Sequence, residues 1–155
     1  MPRKTTSRPA QSGAKQNASP AIERLARALL GTWKVSGDAN GEVRYERPED
    51  GHFLFQYVDI EYAGRRIRGL EVLGHLHPLD AQPTKDIWTR FYSYLDGLTL
   101  DYVYELNGTQ LTIWFGEKAS NNFYRGKFSA DGKTLSGAWQ WPGGGYRTTN
   151  TRIRP

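Results

Sequence analysis

Cysteine is absent from the 155 residues of this chain, which excludes a disulfide framework, a cysteine-ligated metal site and a thiol nucleophile. The sequence also has no run of 18 apolar residues, and its N-terminus lacks the apolar stretch of a signal peptide. These absences predict a soluble protein without membrane contact, and we expect it in the cytoplasm. A chain of this length can bury a core of its own without a disulfide or metal.

Histidine is scarce, since the chain has only His52, His75 and His77. Because His75 and His77 are two residues apart and Glu71 stands at an even offset from both, all three would share one face of a strand. This spacing permits shared metal ligation or acid–base chemistry. Pro78 follows at once, however, so a histidine pair beside a turn is the favoured interpretation, and no metal site is predicted.

The net charge of +5 is concentrated near the N-terminus. Residues 1–19 contain no acidic and no aromatic residue, and they carry four basic ones, Arg3, Lys4, Arg8 and Lys15. This composition predicts a disordered basic tail over 1–19, followed by a near-neutral domain over 20–155. Such a tail can make weak, salt-sensitive contact with nucleic acid. The domain has no basic stripe to match a nucleic-acid groove, so nucleic acid is disfavoured as a partner.

A short helix is predicted over 20–30. Ser19 and Pro20 stand in the order of a helix N-cap and first turn, and Gly31 follows the last apolar position. Apolar residues recur between them at helical spacing, at Ile22, Leu25, Ala26, Leu29 and Leu30.

From Thr32 onward the hydrophobic period changes to two, and β-branched and aromatic residues dominate. Turn residues interrupt this pattern nine times, at 40–41, 49–51, 63–64, 80–83, 96–97, 107–108, 117–120, 131–132 and 142–145. Nine turns connect ten strands, and their short spacing favours sequential antiparallel hairpins. Because closure removes the two exposed edges of such a sheet, the sequence predicts an all-β fold, a closed up-and-down β-barrel of about ten strands.

Several predicted strands carry large residues on both faces. In the strand near residue 90, Trp88, Arg90 and Tyr92 alternate with Ile87 and Phe91. We expect one face to line the lumen and part of the other to contact the helix or a second copy of the chain. A homodimer is therefore one predicted assembly.

A barrel of about ten strands commonly keeps a ligand cavity. The chain has five tryptophans and nine tyrosines, whose apolar bodies and polar tips suit a flat, mostly apolar molecule with a polar end. An arginine in such a lumen would bind a carboxylate or phosphate. The candidate ligand-binding residues are Trp33, Tyr45, Arg90, Tyr92, Tyr104, Trp114, Arg125 and Trp139.

An enzyme that uses the barrel as a shaped pocket is the alternative to a binding protein. Cyclase, isomerase or decarboxylase chemistry can use a few positioned groups and leave no motif. For this alternative, Glu71 is the candidate acid or base, with Arg90 and Tyr92 as orienting groups. The chain has no nucleophile elbow, phosphate loop, dinucleotide fingerprint or zinc-protease motif. No cofactor is predicted.

Five segments resemble a bacterial lipocalin-like, calycin-type β-barrel family of unknown function. They are LLGTWKVSG (29–37), VRYERPEDGHFLFQYVD (43–59), GLEVLGHLHP (69–78), LTIWFGEK (111–118) and FYRGKFSADGKTLSGAWQWPGGGY (123–146). The resemblance covers about residues 29–154, and the last segment is the most specific. It implies a lipocalin-like barrel and no particular chemistry.

The sequence Gly31-Thr32-Trp33 is similar to a motif in the first strand of nitrobindin-like haem barrels, a more distant resemblance. Those proteins hold the haem iron through a histidine of a late strand. This chain has no histidine after His77, so the resemblance does not extend to a histidine ligand for haem, and a tyrosine ligand has no support in the sequence.

Overall fold

A computed structural model gives the fold, and it describes residues 16–155 as one helix and ten strands. The elements are α1 (Pro20–Leu29), β1 (Gly31–Gly37), β2 (Ala39–Glu46), β3 (Leu54–Tyr62), β4 (Arg65–Gly74), β5 (Ile87–Ser93), β6 (Thr99–Asn107), β7 (Gln110–Phe115), β8 (Phe123–Phe128), β9 (Thr134–Trp141) and β10 (Gly144–Arg154). Each strand pairs antiparallel with its neighbours in the chain, and β1 pairs with β10 to close the barrel. The predicted all-β barrel with a short N-terminal helix is confirmed.

Helix α1 begins as its sequence predicts. The Ser19 hydroxyl oxygen accepts a hydrogen bond from the backbone N–H of Ile22 at 3.1 Å, and Pro20 occupies the first turn. The ring of His75 holds this cap from the other side, with 2.6 Å between Nε2 and the Ser19 hydroxyl and 2.6 Å between Nδ1 and the Thr84 carbonyl. Because a carbonyl can only accept, Nδ1 donates to Thr84.

The helix covers one end of the barrel, which we call the closed end. Trp33 donates from its indole N–H to the Leu29 carbonyl at 2.7 Å, and its ring lies 6.1 Å from that of Phe128. Arg152 stacks over Trp33 at 4.6 Å and donates to the Ala28 carbonyl. Helix and strands thus share one apolar cluster at this end.

The opposite end of the barrel, which we call the mouth, carries the turns between β1 and β2, β3 and β4, β5 and β6, β7 and β8, and β9 and β10. Its inward aromatic residues are only partly covered, and Phe115 is 38% exposed. Tyr62 stacks on Tyr146 at 4.1 Å, and Trp141 meets Tyr146 edge to face.

No helix within residues 16–155 is long and apolar enough to cross a membrane.

The turn predicted at 40–41 is wrong. The chain reverses between Gly37 and Ala39, and Asn40 and Gly41 lie inside β2. Gly41 has φ of 147°, and a Cβ there would collide with the backbone of Asp59. A glycine is therefore needed at position 41 because β2 and β3 approach each other closely there, and not because the chain turns.

The large residues on the outer face of β5–β8 pack against each other. Trp88, Val103, Trp114 and Phe123 occupy successive paired positions on these strands. Lys118 covers Trp114, with Nζ 5.8 Å from the ring centre and 2.9 Å from a carboxylate oxygen of Glu105. Trp114 is consequently only 9% exposed although it points out of the barrel. The homodimer stays a prediction.

The tail prediction for 1–19 falls mostly on residues 1–15, which lie outside the described residues. The remaining four, 16–19, precede α1 without helix or strand and end at the Ser19 cap.

Replacing Ser19 with Ala should lower the free energy of unfolding by about 1 kcal/mol or more, because the change removes the cap and the partner of His75. Urea unfolding of wild type and variant measures the difference. Asn17→Ala, at an exposed position just before the cap, is the control and should have little effect. Equal losses in both variants would contradict this role of Ser19.

Candidate ligand-binding cavity

A cavity of about 570 Å³ occupies the barrel between the mouth and the residues packed under α1. Small-molecule sites commonly fall between roughly 300 and 1,000 Å³, so the space suits a ligand. Much of its wall is apolar and comes from many strands, with Val43, Val58, Ile60, Leu100, Ile113 and Leu135 among the lining residues.

Glu71 brings an acidic group into this wall. It lies in the middle of β4, opposite Gln56 of β3 and Phe91 of β5, and is only 4% exposed. The Tyr104 hydroxyl donates a 2.5 Å hydrogen bond to one oxygen of its carboxyl group. Next to this pair, the Gln56 amide donates to the Tyr45 hydroxyl at 2.7 Å. Strands β2, β3, β4 and β6 therefore build one polar network inside the barrel.

Burial sets the ionisation of this network. Burial raises the pKa of Glu71 to about 7, and the hydrogen bond from Tyr104 opposes this shift. Burial, and next the negative charge of Glu71, hold the pKa of Tyr45, Tyr102 and Tyr104 well above the usual value for tyrosine. Near neutral pH, Glu71 is thus divided between its two forms, while these tyrosines remain neutral hydrogen-bond donors.

Two further polar side chains of the cavity wall have no hydrogen-bond partner within residues 16–155. They are Tyr124, at its hydroxyl, and Asn150, at its side-chain carbonyl oxygen, and both atoms are buried. Leaving such groups unpaired costs free energy, roughly 1–3 kcal/mol each.

Two inward glycines make room for Tyr124. Gly126 of β8 and Gly137 of β9 are paired directly across the two strands. A Cβ on Gly137 would lie 2.7 Å from the Tyr124 hydroxyl and 2.5 Å from the Cα of Gly126. The tyrosine ring and its hydroxyl thus lie against a surface that has no side chains.

Of the residues predicted to form the site, Glu71, Tyr45, Tyr104 and Trp139 line the cavity. Trp33 does not, because it is 1% exposed and belongs to the packing under α1.

The other four candidate residues lie on the outer face of the barrel and not in the cavity. Because Phe91 points into the cavity, its neighbours Arg90 and Tyr92 point out, and Arg90 pairs with Asp101 at 2.7 Å. In β7, Ile113 points into the cavity, so its neighbour Trp114 points outward.

Arg125 is the fourth of these residues. It alternates with the inward Tyr124 and is exposed, with its guanidinium 4.9 Å above the Phe123 ring. No predicted arginine therefore reaches the ligand cavity.

Glu71, His75 and His77 do not come together. Strand β4 ends at Gly74, so the two histidines lie in the following loop and not on a strand. His75 is bound to the helix cap, and His77 is exposed. Within residues 16–155 no group of three histidine, aspartate or glutamate side chains could hold a metal ion.

Sequence reasoning missed several cavity residues, namely Gln56, Tyr102, Tyr124, Tyr146 and Asn150. The period of two could have found Tyr102, because it shares a strand face with Tyr104. The others depend on register between strands, as with Gln56 opposite Glu71 and Asn150 opposite Leu135.

A larger hollow of about 800 Å³ lies on the outside of the barrel, over β2–β4. Its charged side chains include exposed groups of both signs, such as Arg66, which pairs with Asp59 at 2.9 Å. Arg44 stacks over Tyr57 at 4.6 Å. Exposed and already paired groups of this kind gain little from a ligand, so the internal cavity is the stronger candidate site.

Neither a family model nor a curated protein matches this chain. A barrel fold is compatible with many functions. The function therefore has to be inferred from the residues of the cavity.

Replacing Glu71 with Gln should change how stability depends on pH. The pKa of Glu71 is about 7 in the folded protein, against an ordinary value of 4.5. Between these pH values the unfolded chain has lost a proton that the folded barrel keeps, so the free energy of unfolding falls as pH rises. Glu71→Gln cannot ionise and should therefore gain roughly 3 kcal/mol over wild type between about pH 4 and about pH 8.

Urea unfolding at the two pH values measures this change. Glu61→Gln is the matched control, because Glu61 lies on the exposed outer face of β3. A wild-type pH dependence that Glu71→Gln leaves unaltered would contradict burial of an ionisable Glu71.

Replacing Gly137 with Ala should destabilise the barrel by roughly 1–3 kcal/mol, since the new methyl group overlaps the backbone of β8 and the Tyr124 hydroxyl. Ser136→Ala, one residue away on the exposed face of β9, should stay within about 0.5 kcal/mol of wild type. Thermal or urea unfolding compares the two. A neutral Gly137→Ala would mean that Tyr124 does not pack over the two glycines.

Proposed function

We propose that the cavity binds a small molecule with an apolar or aromatic body and a polar end. The observation that carries this proposal is a buried, hydrogen-bonded carboxyl group that faces an internal space of about 570 Å³. The apolar wall would cover the body of the ligand, and Glu71 with its tyrosine neighbours would fix its polar end.

The cost of the polar interior supports this proposal. A barrel that served only as a scaffold would be more stable with apolar side chains at these positions, because buried carboxyl and hydroxyl groups lose contact with water. Here Glu71 is 4% exposed, and the Tyr124 hydroxyl has no partner within the described residues. A bound molecule that contacts Glu71 would offset part of this cost.

The aromatic residues of the cavity support the same proposal. Trp139 lies between Tyr102 and Tyr124, with 5.8 Å between ring centres on each side. Together these rings form a continuous aromatic wall from β6 to β8 and β9. A wall of this kind suits a flat ligand, which can pack against ring faces.

The remaining expectations stay proposals of the same kind. The closed antiparallel barrel supports a lipocalin-like, calycin-type relationship among bacterial proteins. The lack of cysteine is compatible with the cytoplasm. A second copy of the chain as partner, and weak nucleic-acid contact by residues 1–19, rest on the sequence alone.

Catalysis is the second candidate function, and the pair of Glu71 and Tyr104 favours it. A carboxyl group with a pKa of about 7 can both donate and accept a proton near neutral pH. The Tyr104 hydroxyl, 2.5 Å away, would hold it in place. An isomerase, cyclase or decarboxylase could use Glu71 as acid or base, without the orienting role first assigned to Arg90 and Tyr92.

Conversion of a bound ligand distinguishes the two functions. Ligand retained by the protein on purification from its own host is incubated with fresh protein in D₂O and analysed by mass spectrometry. A catalyst gives product or deuterium incorporation, and Glu71→Gln abolishes this while ligand remains bound. If the ligand binds but is neither converted nor exchanged, the protein is a carrier and the catalytic function is contradicted.

Narrowing the cavity should weaken binding of a neutral apolar probe such as N-phenyl-1-naphthylamine. Val58 lines the cavity, so Val58→Phe places a ring in the space that the probe would occupy. The matched control is Val72→Phe on the adjacent strand, because Val72 pairs with Phe55 and faces outward. We expect roughly a tenfold or greater loss of affinity for Val58→Phe only.

Fluorescence titration with the probe measures both affinities, and circular dichroism checks that both variants are folded. Failure of the wild-type protein to bind the probe would contradict the proposed function. Equal binding by wild type and a folded Val58→Phe variant would place the probe outside the barrel.

A further inference from the structure

We propose that the cavity selects cationic amines, whose ammonium group pairs with Glu71 while an apolar or aromatic body fills the rest of the space. This inference rests on the proposed function and makes the polar end of the ligand specific. It follows from the charges that face the cavity and those that do not.

Glu71 stands without an opposite charge in the cavity. Of the described residues that line the space, none is a lysine, arginine or histidine. The side chains facing Glu71 from β2, β3 and β6 are neutral, namely Tyr45, Gln56, Tyr102 and Tyr104. An ionised carboxylate among neutral groups in a poorly solvated space attracts a cation far more strongly than a surface carboxylate does.

The arginines of the barrel wall are engaged elsewhere. Arg90 pairs with Asp101, and Arg66 pairs with Asp59, both on the outer face. Arg152 lies at the closed end, where it stacks on Trp33 and donates to a helix carbonyl. A ligand carboxylate or phosphate would therefore find no cation in the cavity and would lie beside the like charge of Glu71.

The carboxyl group of Glu71 also suits a ligand that donates hydrogen bonds. It offers about four acceptor sites, and Tyr104 uses one of them. An ammonium group brings three N–H donors to such a carboxylate.

Aromatic rings around Glu71 add to the attraction. Tyr104 is hydrogen-bonded to Glu71, and Tyr102 lies two residues away on the same inner face of β6. Tyr102 in turn meets Trp139 edge to face. Ring faces of tyrosine and tryptophan attract cations, most strongly where water is excluded. A carboxylate flanked by such rings is chemically complementary to an alkylammonium group.

Three probes with one aromatic body test this selectivity. They are 2-naphthylmethylamine, 2-naphthylmethanol and 2-naphthoic acid, which differ only in a cationic, neutral or anionic end at neutral pH. We expect the amine to bind roughly tenfold or more tightly than the alcohol, and the acid to bind most weakly. Isothermal titration calorimetry gives the three affinities.

Two variants link the selectivity to its source. Glu71→Gln should bind the amine and the alcohol with similar affinity, while Glu61→Gln on the outer face should keep the wild-type order. Equal affinities in the wild-type protein, or tightest binding of the acid, would overturn the amine preference and leave ligand binding intact. If none of the three probes binds and N-phenyl-1-naphthylamine does not bind either, the proposed function itself fails.

The pH profile of wild-type binding is a test that does not depend on the folding of a variant. From about pH 5.5 to about pH 8 the ammonium group stays charged. Glu71 is the group facing the cavity that titrates in this range. The cavity tyrosines stay neutral, with the pKa of Tyr146 raised by burial to about 12 and those of Tyr45, Tyr102, Tyr104 and Tyr124 raised as well.

Amine affinity should therefore rise through this range by roughly tenfold, because the carboxylate form of Glu71 becomes dominant. Affinity for the alcohol should not rise with it. An amine affinity that is flat or falls with increasing pH would overturn the inference.

Discussion

Pairing of β1 with β10 is the constraint on which the rest of the molecule depends. It joins the first strand to the last across more than a hundred residues, with Val35 opposite Asn150 and Trp33 opposite Arg152. Closure satisfies the backbone groups of both edge strands and gives every strand an inner and an outer face. With ten strands the interior is wider than side chains readily fill. Helix α1 covers one end of this interior, and a cavity remains towards the mouth.

The polar network inside that cavity acts against stability. Burial disfavours the ionised form of Glu71, which is the form that would pair with a cation. The bond from Tyr104 offsets part of this cost and fixes the direction of the carboxyl group. Gly126 and Gly137 likewise leave out side chains that would pack the barrel, so that Tyr124 can lie over them. These features are explained together if a ligand occupies the space.

Much of the fold could be predicted because its signals are local. Ser19 and Pro20 define the start of the helix, and turn residues separate strands of period two. The exception is Gly41, which was predicted to lie in a turn and lies inside β2. In that case the glycine is required by close contact between two strands, which a single sequence does not reveal.

The site could be predicted only in part, because the strand face that points inward is set by register and not by composition. Glu71 and Arg90 are both polar residues in the middle of a strand, yet one is buried in the cavity and the other pairs with Asp101 outside. Trp114 was misplaced because β7 has an apolar residue at each position from 113 to 115, and because Lys118 covers the Trp114 ring on the outside of the barrel. In such strands the hydrophobic pattern does not show which face points inward. Closure of the barrel determines the inward face.

A crystal structure of the protein with 2-naphthylmethylamine would show whether Glu71 receives the polar end of a ligand inside the barrel, as we propose. We expect the naphthalene ring against the aromatic wall around Trp139, with the amine nitrogen about 3 Å from a carboxylate oxygen of Glu71. A barrel interior filled by side chains, with the amine bound on the outer face or with its nitrogen turned away from Glu71, would contradict it.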